Sequence, residues 1–263
     1  LLVADALRLA VSLFTAAPVP AAPVDRRTAG RAMALAPLVG AVLALVAAGV
    51  MLAARITYQE RFGLPLVAAL VITTLTLLTR GRHLDGLVDT ADGLASYASA
   101  ERAREIMSRP GVGALGVATL VLNLLLQAGA LMACVEAHRG TESLLLAVLA
   151  GRLAAVLACT PATPAARQDG LGALVAGTVR PAVGLALTAA VAVEAAVYGR
   201  LDSDSGSLTA SLRALLALVA ALAVTHLLRR HAVHRLGGIT GDVLGALIEI
   251  ATTVVLLVMA VGN

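Results

Sequence analysis

Charged residues are scarce in this chain and make up 14% of its 263 residues, against about 25% in a typical soluble domain. Hydrophobic residues make up 59% of the sequence, and the mean hydropathy is +0.92. This composition argues against a soluble globular domain and is typical of a polytopic membrane protein.

Several residue types are absent or rare. The chain has no tryptophan and two phenylalanines, so the aromatic belt of many membrane proteins is nearly missing. Cys134 and Cys159 are isolated in apolar segments, which excludes a CxxC motif or a thiolate metal site. There is no lysine, and the basic residues are arginines, most of them near the ends of apolar segments. Membrane topology explains that placement, so the net charge of +4 does not indicate nucleic-acid binding.

Long apolar stretches predict an all-α, polytopic helix bundle with about seven membrane spans, since a span needs about 20 apolar residues. The whole chain, residues 1–263, is predicted to be a single membrane domain. Residues 1–35 are amphipathic and are predicted to form an interfacial or re-entrant segment, broken by prolines within residues 17–23. The predicted spans are 37–54, 64–79, 113–135, 144–160, 182–198, 212–228 and 242–261.

Arginine placement predicts the orientation. The N-terminal segment and the loops that follow the second, fourth and sixth spans carry most of the arginines, which marks the cytoplasmic side. The N-terminus is therefore predicted to be cytoplasmic, as is the polar segment 80–112. The predicted location is the cell (inner or plasma) membrane, with all polar motifs on the cytoplasmic side.

The densest polar cluster lies in RGRHLDGLVDTADG, residues 80–93. Asp85, Asp89 and Asp92 stand at i, i+4 and i+7, within about 60° of one another on a helix. Like charges on one face repel each other, and a hard divalent cation with oxygen ligands, above all Mg²⁺, would remove that repulsion. The alternative, a solvated helix end, leaves three aligned carboxylates without a partner.

Basic groups flank these carboxylates. Arg80 and Arg82 precede them, and arginine beside a metal ion is a common arrangement for holding a phosphate or diphosphate. His83 stands two residues before Asp85 and is a candidate general base or phosphate ligand. A structural role for His83 is equally compatible with the sequence.

Two further motifs contain glycine and acidic residues. GGITGD, residues 237–242, opens the last span, where Thr240 and Gly241 can cap the helix or approach a phosphate and Asp242 can bind metal. ARQDGLG, residues 166–172, carries Arg167 and Asp169. Each motif taken alone is also compatible with an ordinary glycine-rich turn or loop.

The motifs together resemble those of the cobalamin synthase family, the adenosylcobinamide-GDP ribazoletransferases. Residues 80–94, RGRHLDGLVDTADGL, resemble the family pattern RGxHxDGLxDTxDG, and residues 237–246, GGITGDVLGA, resemble GGxTGDxLGA. ARQDGLG is similar to its RxxGLG loop, and residues 15–20 and 36–40 are similar to its early segments. The matches occur in family order and cover most of the chain.

The resemblance implies a membrane enzyme that completes the nucleotide loop of cobalamin. The 5′-oxygen of α-ribazole, or of its 5′-phosphate, attacks adenosylcobinamide-GDP, GMP leaves, and Mg²⁺ is the expected cofactor. For this chemistry Asp85, Asp89, Asp92 and Asp242 are the candidate metal ligands, and His83, Asp85 and Asp89 the candidate catalytic residues. The candidate substrate-binding residues are Arg80, Arg82, Arg167, Asp169, Thr240 and Gly241.

Some positions depart from the family pattern and bear on substrate contacts. Ala16 stands where the family commonly has arginine, residues 108–111 lack its acidic residue, and Ile248 and Thr252 replace polar residues. The lower-ligand nucleoside therefore stays open, as does a homo-oligomer or an association with other cobamide-assembly enzymes.

Other classes remain as alternatives. CDP-alcohol phosphotransferases and aromatic prenyltransferases also use aspartate-rich membrane helices, but the spacing and repeats expected of them are not visible here. A cation-coupled transporter would use intramembrane carboxylates, whereas these carboxylates cluster at one end of the spans.

Overall fold

The computed structural model describes residues 2–21, 24–58, 63–201 and 207–262. Within these ranges the chain forms twelve α-helices and no β-strand. Helices satisfy their own backbone hydrogen bonds, which a lipid environment requires. The helices are α1 (Leu2–Phe14), α2 (Arg26–Ala34), α3 (Ala36–Thr57), α4 (Leu64–Leu78), α5 (Arg82–Ala95), α6 (Ala100–Met107), α7 (Ala114–Glu136), α8 (Gly140–Ala158), α9 (Gly170–Val175), α10 (Pro181–Leu201), α11 (Ser207–Leu236) and α12 (Gly241–Met259).

The predicted all-helical membrane class is confirmed, and each of the seven predicted spans is a helix. Of the described helices, α3, α7, α8, α11 and α12 are each long and apolar enough to cross a membrane. α4 reaches that length only together with α5, from which it is bent by 89°, and the apolar part of α10 is shorter, Pro181–Val197. By length and composition the structure thus supports five or six spans, fewer than the seven predicted.

α12 lies at the centre of the bundle and packs against α5, α7, α8 and α11. Small residues allow its closest contacts: a Cβ added at Gly151 of α8 would lie 2.9 Å from the carbonyl oxygen of Ile248. Close backbone approach of this kind is how membrane helices gain packing energy without a hydrophobic driving force.

The helices alternate in direction, so their connections collect at two ends. At one end, Gly140 of α8 lies against Met51 near the end of α3, and Gly262 lies near Arg213 of α11. At the other end, the amide of Ile239 donates to the carbonyl of Pro164 at 2.9 Å. The glycine-containing motifs therefore share one end of the bundle.

The N-terminal segment consists of α1 and α2, which are too short to be spans and pack against each other. Residues 15–21 between them are not helical, and residues 22–23 of the predicted proline break lie outside the described residues. Asp25 caps α2, and hydrogen bonds from the hydroxyl and the amide of Thr28 hold the pKa of this carboxyl below its usual value. The interfacial location of this segment stays a prediction.

Candidate active site

The site begins with a sharp turn between α4 and α5. Arg80 and Gly81 adopt left-handed backbone conformations, with φ of 57° and 65°, and the next helix then runs at 89° to α4. Glycine adopts this conformation at little cost. The turn lays the aspartate-rich helix against the start of α12 instead of letting it continue as a straight span.

Two glycines allow α5 and α12 to touch through their backbones. A Cβ added at Gly86 would lie 2.7 Å from the carbonyl oxygen of Asp242, and one added at Gly245 would lie 3.1 Å from that of His83. No side chain can therefore separate the two helices here. The crossing places the aspartates of α5 beside Asp242, which is distant in sequence.

Replacing Gly86 by alanine is expected to lower the free energy of unfolding by about 1–3 kcal/mol, because the added methyl group forces the two backbones apart. Thermal unfolding of the purified protein in detergent measures the effect. Gly49→Ala in α3 is the matched control, because nothing lies within 4 Å of its added Cβ. Equal stability of the two variants would contradict the close crossing.

Four carboxylates gather at this crossing. Asp85, Asp92 and Asp242 all lie close enough to Asp89 to act on its charge. Within the described ranges, none of the four forms an ion pair with a basic side chain within 4.0 Å. The cluster is thus a concentration of negative charge that a cation would relieve.

Asp92 also has a structural role. Its Oδ2 accepts a hydrogen bond from the amide of Gly113 at 2.7 Å, and its Oδ1 accepts one from the amide of Gly116 at 2.7 Å. The carboxylate therefore caps the N-terminus of α7, where negative charge is favourable. Among the described residues, Asp85, Asp89 and Asp242 accept no such hydrogen bond from the start of another helix.

No three histidine, cysteine, aspartate or glutamate side chains of the described segments stand close enough together to form a metal group. The predicted ligand set therefore stays a prediction. Its chemistry fits a hard cation, since all four candidate groups are carboxylates that share one crossing.

The two glycine-containing motifs form one wall of the site. Ala165 and Ile239 make a short parallel bridge, and the hydroxyl of Thr240 accepts from the amide of Val243 at 3.2 Å to cap α12. The same hydroxyl donates to Oδ2 of Asp242 at 3.2 Å. A cavity of about 270 Å³ lies between the motifs, lined by Arg167, Asp169, Gly170, Leu171, Gly172, Ile239, Thr240, Gly241 and Asp242.

Arg167 links this wall to the end of α6. Its guanidinium donates to the carbonyl of Arg104 and to the hydroxyl of Ser108. It also lies near enough to Asp242 to act on its charge. The structure thus brings Arg167 and Asp242 to one cavity, as the sequence predicted for a single site.

A second cavity, of about 230 Å³, joins the two motifs to α5 and to the N-terminal segment. Arg82, His83, Asp85, Gly241 and Asp242 form its polar part. Its apolar part consists of Leu13, Phe14, Met33, Leu171, Leu244, Gly245 and Ile248. A ligand in this cavity can therefore place an apolar ring system beside polar, charged groups.

Arg80 and Arg82 hold the N-terminal segment in place. Arg82 donates to the carbonyls of Ser12, Leu13 and Thr15 at 2.8 to 3.2 Å, and Arg80 donates to that of Ala16 at 3.0 Å. These bonds satisfy carbonyl groups at the end of α1 that have no partner within the helix. Backbone carbonyls thus already occupy part of the donor groups of both arginines. The phosphate contacts predicted for the two residues stay predictions.

A polar network behind His83 was missed by the sequence analysis. Arg152 is 3% exposed and lines a small cavity of about 30 Å³ with His83 and Glu249. The amide of Gln127 donates to Glu249 at 2.9 Å, and that of Asn123 lies 3.5 Å from it. The charge of Arg152 inside the apolar 144–160 segment was the signal that could have identified it.

The fold and the site define a class: a helical membrane protein whose polar motifs converge on a carboxylate-lined cavity at one end of the bundle. The family model described as cobalamin-5-phosphate synthase matches residues 6–260. The chain belongs to this family, as the sequence motifs predicted.

Curated relatives carry the name adenosylcobinamide-GDP ribazoletransferase. The protein from Frankia casuarinae is 49% identical over 259 residues, covering 96% of this chain and 93% of the relative. That from Nocardioides sp. is 38% identical over 97% of this chain and 98% of its own length. That from Pseudomonas syringae pv. syringae is 39% identical over 88% of both chains. No solved structure matches the chain.

Proposed function

We propose that this chain is an adenosylcobinamide-GDP ribazoletransferase. It joins adenosylcobinamide-GDP to α-ribazole, or to its 5′-phosphate, and releases GMP. Family membership and the names of the relatives support the reaction. One observation links the proposal to particular residues: three separate motifs line adjoining cavities at the α5–α12 crossing.

The cavity of about 230 Å³ suits the smaller substrate. Phe14, Leu171 and Ile248 offer apolar contacts for a flat nucleoside base, while Asp85 and Asp242 lie at the polar part. The corrinoid is far larger than this cavity and must lie outside it. Its diphosphate then reaches the motif wall, where Arg167 and the helix cap at Thr240 provide donors for phosphate oxygens.

The reaction displaces GMP at the cobinamide-side phosphorus. A ribose hydroxyl of the ribazole, one that stays free when the 5′-oxygen carries phosphate, loses its proton as the new phosphorus–oxygen bond forms, and the bond to the GMP oxygen breaks. His83 or a carboxylate of Asp85 or Asp89 accepts that proton. Arg167 stabilises the negative charge that develops on the phosphate oxygens.

Asp85, Asp89 and Asp242 would hold Mg²⁺, with Asp92 as a further ligand. This assignment is supported by carboxylates that share the crossing and that form no ion pair within the described ranges. When bound, the metal supplies neutralisation of diphosphate charge and alignment of the attack.

The departures from the family pattern fall beside the proposed substrate sites. Ile248 lines the smaller cavity, Ser108 contacts Arg167, and Ala16 binds Arg80 through its carbonyl. An apolar Ile248 makes this wall suited to a ring without hydrogen-bonding groups. We therefore place the choice of lower-ligand nucleoside at this wall.

For the topology, we propose seven crossings in the cell membrane, with the N-terminus and the catalytic end cytoplasmic. α4 and α10 then cross together with the five longer helices. Two observations support this arrangement: the alternating helix directions and the arginines concentrated at the catalytic end.

The test uses the purified full chain in lipid with adenosylcobinamide-GDP and α-ribazole. Chromatography follows GMP and cobalamin, and the protein is assayed with Mg²⁺ and after chelation with EDTA. We expect equal amounts of the two products with Mg²⁺, loss of at least about 100-fold in rate on chelation, and recovery when Mg²⁺ is restored. GMP release without cobalamin would indicate hydrolysis, and transport of an unchanged substrate would indicate a transporter; either result would overturn the proposal.

A further inference from the structure

A cavity of about 440 Å³ lies between α8 and α11, apart from the proposed active site. Its wall is mostly apolar, with Leu157 and Ala158 from α8 and Leu222 and Ala223 from α11. At one end it is bounded by the polar groups of Thr160, Thr225, His226 and Arg229. The cavity is thus amphipathic, with its positive charge at one end.

The depth of Arg229 follows from the length of α11. This helix has 30 residues, whereas a hydrocarbon core of about 30 Å needs about 20. At about 1.5 Å per residue, residues 208–228, which are mostly apolar but include Arg213, cover about 31 Å. Arg229 and Arg230 therefore lie at the level of the lipid headgroups when the apolar part of α11 fills the core.

Arg229 is held in position by neutral partners. Its Nη1 donates to the hydroxyl of Thr163 at 2.5 Å, and its Nη2 lies 3.0 Å from Nδ1 of His226. In the described part of the chain no carboxylate lies within 4.0 Å of this guanidinium. Its positive charge is therefore oriented but not neutralised by the protein.

The apolar wall continues onto the outer surface of α11. Val224 is 40% exposed and Leu227 is 64% exposed, so the cavity adjoins a surface that faces lipid chains. A small inorganic anion would use the arginine and leave this wall empty. An anionic amphiphile uses both parts of the site.

We propose that this cavity binds an anionic phospholipid, with the headgroup phosphate on Arg229 and an acyl chain along the wall formed by α8 and α11. Arginine beside membrane-spanning helices recognises such headgroups through charge-assisted hydrogen bonds. The site lies outside the proposed active site, so its occupant is a bound lipid of the bilayer rather than a reactant.

Native mass spectrometry of the full chain in neutral detergent tests the proposal, with phosphatidylglycerol or phosphatidylcholine added at equal concentrations. We expect phosphatidylglycerol to bind at least about tenfold more tightly. Arg229→Gln is expected to lose most of this preference. Ala223→Phe fills the cavity from its exposed wall and keeps every charge, so it is expected to weaken the binding of both lipids.

Arg230→Gln is the matched control, because it removes the same charge from the next residue, which does not line the cavity. The affinity of this variant for phosphatidylglycerol should stay within about threefold of that of the parent protein. Equal losses in the two arginine variants would indicate general surface attraction and overturn the proposal. Equal binding of the two lipids would also overturn the proposal. Displacement of phosphatidylglycerol by millimolar inorganic phosphate would do the same, because it would indicate a site for free anions. Thermal unfolding of each variant checks that it is folded.

Discussion

Asp89→Asn is expected to lower kcat/KM for cobalamin formation by at least about 100-fold, which corresponds to about 2.7 kcal/mol of transition-state stabilisation. Asparagine keeps the size of the side chain and removes its charge. Asp89 lies close enough to the other three carboxylates for each to act on its charge, so we expect its loss to weaken a cation held at the α5–α12 crossing. Steady-state GMP release at saturating Mg²⁺ measures the effect.

Two further variants separate catalysis from folding. Asp5→Asn removes a carboxylate of α1 that bonds Arg8 at 3.5 Å and does not line the cavity, and it should retain the parent rate. Asp92→Asn should also lower thermal stability, because Asp92 caps α7. If Asp89→Asn kept the parent kcat/KM and the same dependence on Mg²⁺ concentration, the carboxylate cluster would not be the metal site.

Glu249→Gln is expected to lower the free energy of unfolding by about 3 kcal/mol, because it removes the carboxylate whose charge acts on the buried guanidinium of Arg152. Arg152 is 3% exposed, and its Nε has no hydrogen-bond partner among the described residues, so the loss of the nearby negative charge leaves a buried cation uncompensated. Glutamine keeps the shape and can still bond to Gln127. Denaturant or thermal unfolding in detergent measures the change.

The double variant Glu249→Gln/Arg152→Met should recover most of the lost stability, since it removes both charges. Glu101→Gln is the control: this glutamate is 76% exposed in its ion pair with Arg104, and its loss should change stability by less than about 0.5 kcal/mol. If Glu249→Gln left the free energy of unfolding unchanged, or if the double variant were no more stable than the single one, the two charges would not be coupled.

The sequence was sufficient where a property depends on local periodicity or composition. The seven apolar segments all became helices, because about 20 consecutive apolar residues in lipid have few other ways to satisfy their backbone. The spacing of Asp85, Asp89 and Asp92 placed them on one face of α5 for the same local reason. The long motif around them also identified the family, which the match of the family model to residues 6–260 confirms.

The hydrogen-bond partners of several site residues could not be predicted from the spacing of residues in the sequence. The phosphate contacts predicted for Arg80 and Arg82 stay a prediction, but spacing gave no sign that both guanidinium groups also donate to carbonyls at the end of α1. Asp92 stays a predicted metal ligand, but its spacing gave no sign that both of its oxygens accept backbone hydrogen bonds at the start of α7. In each case the partner is a backbone group from another helix, and backbone groups carry no sequence signal.

The sequence by itself determined that this protein is a helical membrane protein of the cobalamin-5-phosphate synthase family with an aspartate-rich helix. Hydropathy, helical period and a long motif are properties of short stretches of chain. The tertiary structure alone decided how Asp242, a predicted fourth ligand, reaches the aspartates of α5, and that Arg152 lies near Glu249 behind His83. Those contacts depend on helix crossings, which Gly86 and Gly245 permit because the absence of side chains lets two backbones meet.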